Sequence, residues 1–261
     1  MQDRWTSAEA YERYIGRWSA PVAERLVAWL AIPPGRDWLD LGCGTGSLSA
    51  RVLDAAAPAS VLGVDPSPAF VASAEGRLGG PLARFAEGRA DALPSGDATI
   101  DVVASGLVIN FVPDVAMALA EARRVTRPSG TIAAYVWDYA GRMELIRRFW
   151  DAAVALDPAA ADLDEGRRFP LCHPERLRDA WVTGGLREVE VDAIEVDTPF
   201  VDFGDYRWPF ETDVGPAPGY ASSLPAERRT ALRERLRSSV PTRPDGSIAL
   251  VARAWAIKGL A

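Results

Sequence analysis

The chain has 261 residues, 48% of them hydrophobic and 25% charged, an ordinary globular mixture at a length that allows about 1.7 domains of ~150 residues. Its 29 Lys and Arg against 36 Asp and Glu give a net charge of -7, which argues against gripping phosphate backbones as its main task. One histidine, His173, and two cysteines, Cys43 and Cys172, are too few for a His/Cys zinc site and speak against a disulfide framework.

No run approaches ~18 apolar residues, and Met1-Gln2-Asp3-Arg4-Trp5 opens no basic-then-apolar leader. The expectation is a cytoplasmic protein in a reducing compartment, with no membrane span, no metal and no nucleic-acid partner. Along the chain, Ala10, Tyr14, Trp18, Val22, Leu26, Trp29 and Leu30 recur at helical spacing over 7–32, with Pro21 expected to split the segment into two helices. Trp38 to Leu41 predicts a buried strand, 47–57 a helix, 60–64 a strand and 67–78 a helix. A weak strand at 82–86 and a strong one at 100–105 precede a helix over 112–127, which Pro113 is placed to open. Thr131 to Trp137 reads as a strand.

Strands and helices thus alternate over 36–137, the pattern of a mainly parallel sheet. Beyond it, 141–156 and 174–183 read as helices, and 186–196 and 248–257 as strands that would pair as an antiparallel edge. Between those strands lie a Pro-, Gly- and aromatic-rich stretch (199–224) and a charged helix (225–239).

Asp40-Leu41-Gly42-Cys43-Gly44-Thr45-Gly46 follows the first strand and precedes a helix. Glycines there let the backbone take positive φ and approach a ligand. A dinucleotide fingerprint would need a third glycine where Ser47 stands, or Ser49 when counted from Gly44. That disfavours a nicotinamide oxidoreductase. Asp65, in Val64-Asp65-Pro66-Ser67, ends the second strand, where a carboxylate can accept the hydroxyls of a ribose. Asp91, in Ala90-Asp91-Ala92-Leu93-Pro94, follows the third. Each alone reads more often as a loop cap; the ordered set at the ends of three successive strands points to a nucleoside site.

These segments, with Ile100-Asp101-Val102-Val103 and Glu121-Ala122-Arg123-Arg124-Val125-Thr126-Arg127-Pro128, resemble the S-adenosylmethionine-dependent methyltransferases with a Rossmann-like fold. The similarity is to their small-molecule branch, which includes the quinone-biosynthesis methyltransferases. Where the family usually has Gly-Gly after the proline, this chain has Ser129-Gly130. The resemblance implies a seven-stranded, mostly parallel sheet with helices on both faces and an antiparallel edge strand, plus N-terminal helices and a C-terminal insertion forming a cap. It divides the chain into N-terminal helices (1–35), a cofactor-binding core (36–200 and 246–261) and a substrate cap (201–245).

It further implies S-adenosyl-L-methionine as cofactor. Gly42 and Gly44 would approach its methionine part and Asp40 would support its ammonium. Asp65, followed by Pro66, would hold the ribose, Asp91 and Ala92 the adenine, and Ser105 and Gly106 would flank the sulfonium. Tyr11, Arg17 and Trp18 would cover it from the N-terminal helix, although they read equally well as an ordinary packed helix. Such a cofactor carries the difficult chemistry itself. The protein is then asked mainly to place an acceptor in line behind the methyl group. No strong base is evident: His173 sits in a loop-like setting, Cys43 reads as buried, and Asp138, Tyr139 and Asn110 are the candidates for orienting or deprotonating an acceptor. Phe200, Phe203, Tyr206, Trp208, Phe210 and Tyr220 would either line an apolar or aromatic acceptor pocket or pack the insertion. The reading is a methyltransferase acting on a small molecule. Its alternatives are a quinone-pathway C-methyltransferase and a non-catalytic binder of the same cofactor.

Overall fold

The computed structural model describes residues 16–212 and 215–261; Tyr11 lies outside them. Seven strands form one sheet: β1 (Asp37–Leu41), β2 (Ser60–Asp65), β3 (Ala83–Glu87), β4 (Ile100–Gly106), β5 (Thr126–Trp137), β6 (Arg187–Phe200) and β7 (Ile248–Leu260). Their order is β3-β2-β1-β4-β5-β7-β6. The pairs β1–β2, β2–β3, β1–β4 and β4–β5 are parallel. β1 is almost wholly buried, as a strand covered on both faces must be, which is why it reads as a continuous apolar run. β7 runs the other way: the Ala261 N–H donates to the Gly130 carbonyl (3.0 Å), and the Asp138 N–H to that of Arg253 (2.9 Å). The predicted sheet and its antiparallel edge are both present. Strand order reverses between β1 and β4, so their carboxyl ends open a crevice where ligands bind in such sheets.

The helices among the described residues begin with α1 (Arg17–Leu30), α2 (Ser47–Ala55), α3 (Pro68–Leu78) and α4 (Val115–Val125). The Ser67 hydroxyl caps α3 by accepting from the Phe70 N–H (3.4 Å), and Asp114 caps α4 by accepting from that of Met117 (2.9 Å). Two proline expectations are corrected. Pro21 lies inside α1: the N–H it lacks would have bonded the carbonyl of Arg17, so a single backbone bond is lost and the helix continues to Leu30. Pro113 precedes the cap of α4 instead of opening its first turn.

Two compact units are present. The first comprises Ser19–Val136, His173–Ile194 and Ala254–Ala261, and includes helix α7 (Pro174–Thr183).

The second groups Arg17 and Trp18 with Trp137–Cys172 and Glu195–Arg253. It contains α5 (Glu144–Leu156), α6 (Glu165–Arg168), α8 (Phe203–Arg207), α9 (Pro216–Ser223) and α10 (Ala226–Ser239). The helix predicted from Gly141 starts only at Glu144, because the Asp138 carboxylate accepts from the Arg142 N–H (2.9 Å) and holds 138–142 as a turn. An aromatic core fills this unit. Phe149 stacks on Phe210 (4.5 Å), Tyr206 meets Phe200, Phe203 and Phe210, and Trp150 tilts against Tyr220 (5.6 Å). The insertion's aromatics other than Trp208 are therefore buried and pack one another. Glu165 is also buried, accepting from the Trp150 indole N–H, and burial pushes its carboxyl up to about 8.

Arg17 binds Asp205 (3.0 Å) and lies over the rings of Trp18 and Phe200. Exposed ion pairs and cation–π contacts are each worth up to about 1 kcal/mol. Arg17→Ala is accordingly expected to lower stability by about 1 kcal/mol, read as a shifted urea midpoint at unchanged slope.

Candidate functional site

The turn after β1 is built on positive-φ glycines: Gly42 (+74°), Gly44 (+52°) and Gly46 (+86°). It is pinned to β2 by the Gly42 and Cys43 N–H groups, which share the Val64 carbonyl at 2.7 and 3.0 Å. A Cβ on Gly42 would meet Val108 Cγ1 at 2.5 Å, whereas one on Gly44 would meet nothing within 4 Å. Gly42 is thus required by packing, and Gly44 borders open space.

Two carboxylates flank the turn. Asp65 accepts from the Gly44 N–H (3.0 Å) and the Ser67 N–H (2.9 Å), so each of its oxygens holds one backbone donor and keeps room for another. Asp40 is 3% exposed. Its Oδ2 accepts from the Ser49 N–H (3.0 Å) and hydroxyl (2.6 Å), while Oδ1 is buried with no hydrogen-bond partner. Burial pushes its carboxyl up to about 6, with the Asp65 charge adding to the rise. Asp65 is raised by burial as well. Among the described residues, no basic side chain is one of the groups acting on either carboxylate. A buried acceptor without a partner beside a second carboxylate suits a ligand that brings positive charge.

Pro66 follows Asp65 and leads into α3. At the end of β4, the Ser105 hydroxyl donates to the Leu41 carbonyl (2.9 Å), tying β4 to β1. Gly106 leaves room for the Tyr135 hydroxyl, 2.6 Å from where a Cβ would sit. Leu107 then adopts φ +63°, a left-handed conformation costly for a side-chain-bearing residue. Beyond it stands Asn110, half-buried, with a buried Oδ1 that has no partner. After β3, Arg89 clasps Asp91 through Nε (2.9 Å) and a terminal nitrogen (2.7 Å), and this fork holds the Asp91 carboxyl below the usual carboxylate range. The Ala92 N–H closes the turn onto the Arg89 carbonyl (3.1 Å). Asp40, Gly42, Gly44, Asp65, Asp91, Ser105, Gly106 and Asn110 all belong to the first compact unit.

Arg17, Trp18, Asp138 and Tyr139 belong to the second. Asp138 is buried, and besides Arg142 its carboxylate lies 3.7 Å from Arg253. Tyr139 is buried against Phe169 (5.8 Å). The Cys43 thiol is raised by burial, which keeps it protonated and makes it a poor nucleophile. His173 stands at the start of α7 without capping it through its side chain. Among the described residues no cluster of His, Cys, Asp and Glu could hold a metal ion, and no helix is long and apolar enough to cross a membrane.

The sequence pattern missed Arg89 and the Glu121–Arg124 pair. Glu121 accepts from the Leu93 N–H (2.8 Å), and Arg124 reaches the Ser95 carbonyl (2.9 Å). The motif Glu121–Pro128 was the available signal, but its spacing does not say which loop it meets.

Residues 39–134 match the family model described as "Methyltransferase domain". Among curated proteins, the chain is 34% identical over 131 residues to malonyl-[acyl-carrier protein] O-methyltransferase of Serratia marcescens, covering 48% of this chain and 50% of the relative. It is 37% identical over 112 residues to ubiquinone/menaquinone biosynthesis C-methyltransferase UbiE of Bartonella quintana, covering 40% and 43%. The chain spans about half the length of the curated relatives it matches. Among solved structures, YcgJ of Bacillus subtilis superimposes with TM-score 0.58 at 16% identity, over 92% of this chain and 97% of that one. Phosphoethanolamine N-methyltransferase 2 of Haemonchus contortus, solved with S-adenosyl-L-methionine, gives TM-score 0.59 at 16% identity, over 96% and 56%. These likenesses at low identity establish the Rossmann-like fold. Residues 39–134 of this chain thus match a methyltransferase domain, and the chain has the Rossmann-like fold of these structures.

Proposed function

We propose that the protein is an S-adenosylmethionine-dependent methyltransferase that moves the methyl group to a small-molecule acceptor by in-line displacement. The observation that carries this reading is the pair of buried carboxylates around Gly44, one with an unpartnered oxygen, beside space that no side chain of the described residues fills. Asp40 Oδ1 receives the ammonium of the methionine part, Asp65 the ribose hydroxyls, and Asp91 the adenine amino group. Gly44 gives the cofactor room beside the backbone. The bound cofactor supplies a methyl group already activated on a cationic sulfur.

The chain's own contribution is placement, which can be worth roughly 7–11 kcal/mol of a barrier. Asn110 is the favoured orienting residue, because its buried oxygen is free to accept from an acceptor group. Asp138 is a weaker base, since its carboxylate is committed to Arg142. The insertion at 201–245 is the proposed source of acceptor specificity, with Arg17 paired to its Asp205 and Trp18 packed on Phe200 just before it. A cytoplasmic setting accords with two free, buried cysteines.

The test is production of S-adenosylhomocysteine with a panel of amine, hydroxyl, thiol, carboxyl and activated-carbon acceptors. Turnover with one class supports the reading, and cofactor binding without turnover on any class favours a non-catalytic binder. The second reading, a quinone-pathway C-methyltransferase, is favoured by the Bartonella quintana relative; methylation of a polyprenylated quinol carbon would select it. The Serratia marcescens relative is named for a carrier-bound carboxylic acid, so similarity in the core does not select the acceptor.

A further inference from the structure

Glu121 and Arg124 sit three residues apart near the carboxyl end of α4, away from the glycine turn, and the cofactor reading gives them no task. Their contacts converge on one loop. Glu121 Oε1 accepts from the Leu93 N–H at 2.8 Å. Arg124 donates through Nε to Glu121 Oε2 (2.8 Å) and through a terminal nitrogen to Oε1 (2.7 Å). The same nitrogen reaches the carbonyls of Ser95 (2.9 Å) and Leu93 (3.4 Å), and the other bonds Asp97 (2.5 Å). Backbone bonds finish the seam: the Ala98 N–H donates to the Arg124 carbonyl and the Thr99 N–H to that of Val125, both at 2.9 Å. The end of α4 therefore fixes 93–99 directly after Asp91, while the Arg89 fork fixes Asp91 from the other side.

A carboxylate only accepts hydrogen bonds. Held at a purine edge, it welcomes the 6-amino donor of adenine and is repelled by a 6-oxo group, so its discrimination depends on being held still. We propose that Glu121 and Arg124 are positioning residues that hold the 91–97 loop so that Asp91 selects a 6-amino purine over a 6-oxo purine. This rests on the reading that Asp91 faces the cofactor's adenine. Glu121 and Arg124 touch neither cofactor nor acceptor; they act through the loop. A merely structural pair would lower stability and weaken all purine ligands together.

The experiment is calorimetric titration of S-adenosylhomocysteine and S-inosylhomocysteine, which differ only in the 6-amino against 6-oxo group and the N1 proton that the oxo form carries. It uses the full chain as wild type, Glu121→Ala, Arg124→Ala and the conservative Glu121→Gln, which keeps an acceptor for the Leu93 N–H. Wild type should prefer the adenosyl ligand by about tenfold or more, the worth of one well-placed hydrogen bond. Glu121→Ala and Arg124→Ala should lose most of that preference by weakening the adenosyl ligand about tenfold and the inosyl ligand much less, with Glu121→Gln retaining most of it. Where an alanine variant does not fold, Arg124→Lys, which keeps the charge but not the planar fork, should show an intermediate preference. Parallel weakening of both ligands, or an unchanged preference in every folded variant, overturns the proposal while leaving the cofactor reading intact. Failure of wild type to bind S-adenosylhomocysteine at all overturns the cofactor reading, and this proposal with it.

Discussion

Asp40→Asn is expected to make the unliganded protein more stable at pH 8 while costing it the cofactor. The Asp40 carboxyl titrates at about 6 in the folded chain against 3.8 as its ordinary value, because it is buried. The folded state therefore takes up this proton before the unfolded state does, and stability is full below pH ~4 and declines as pH rises through about 6. A rise of about two pKa units is worth about 3 kcal/mol at pH 8. Asparagine keeps an acceptor for Ser49 and carries no charge, but its amide would occupy the place of the unpartnered Oδ1. The recovered stability is then about 1–2 kcal/mol, shrinking below pH 6 and gone near pH 4. Urea melts at pH 8, 6 and 4 test the sign. In wild type, cofactor affinity should fall as pH drops through about 6, since an ammonium needs the ionised carboxylate. In Asp40→Asn it should be weaker by about 100-fold at pH 8, as expected when one partner of a buried charge pair is removed, and should lose that pH dependence. A variant less stable than wild type at every pH would show that the carboxylate is held for the fold alone.

Gly42 and Gly44 are expected to fail in opposite ways. In Gly42→Ala the new methyl group meets the branched carbon atoms of Val108 at 2.5–2.8 Å, at φ +74°. Overpacking and left-handed strain together cost about 3 kcal/mol or more. Gly44→Ala meets no atom within 4 Å, so only the φ of +52° counts against it, about 1 kcal/mol. That variant should fold and melt close to wild type yet bind S-adenosylhomocysteine at least about 100-fold more weakly, because its methyl group takes the space reserved for the ligand. Thermal melts with and without ligand separate the two: Gly42→Ala loses several kcal/mol in both, whereas Gly44→Ala loses about 1 kcal/mol without ligand and, in addition, the ligand's stabilising shift. Equal melting and equal ligand shifts for Gly44→Ala and wild type would remove Gly44 from the site.

The parts of this site legible in the sequence are those that local chemistry dictates. A buried strand reads as Trp38-Leu39-Asp40-Leu41 whatever surrounds it, positive φ calls for glycine, and a carboxylate at a strand end announces itself by position. The alternation of short apolar runs and helical periods over 36–137 carried the parallel sheet. The two late strands carried its antiparallel edge. Contacts between segments distant in sequence were not legible. The Glu121–Leu93 bond spans 28 residues, and no spacing rule links a helix end to that loop. Pro21 was misjudged because proline's effect depends on which carbonyl it leaves unbonded, and that requires knowing where the helix starts. The aromatics at 200–220 showed their composition but not their partners. Phe149 and Trp150 of α5 complete their core, so a cluster that reads equally as pocket lining or packing is at least the interior of a compact unit.

The turn Gly42–Gly46, with Asp40 and Asp65, is the proposed seat of S-adenosylmethionine. The most direct measurement is calorimetric titration of the wild-type chain at pH 8 with S-adenosylhomocysteine, and with NAD in a parallel cell. Saturable, one-to-one binding of S-adenosylhomocysteine that is lost in Gly44→Ala is expected, with no saturable binding of NAD. Absence of S-adenosylhomocysteine binding by the folded protein, or its persistence at full affinity in Gly44→Ala, would contradict that assignment of the turn.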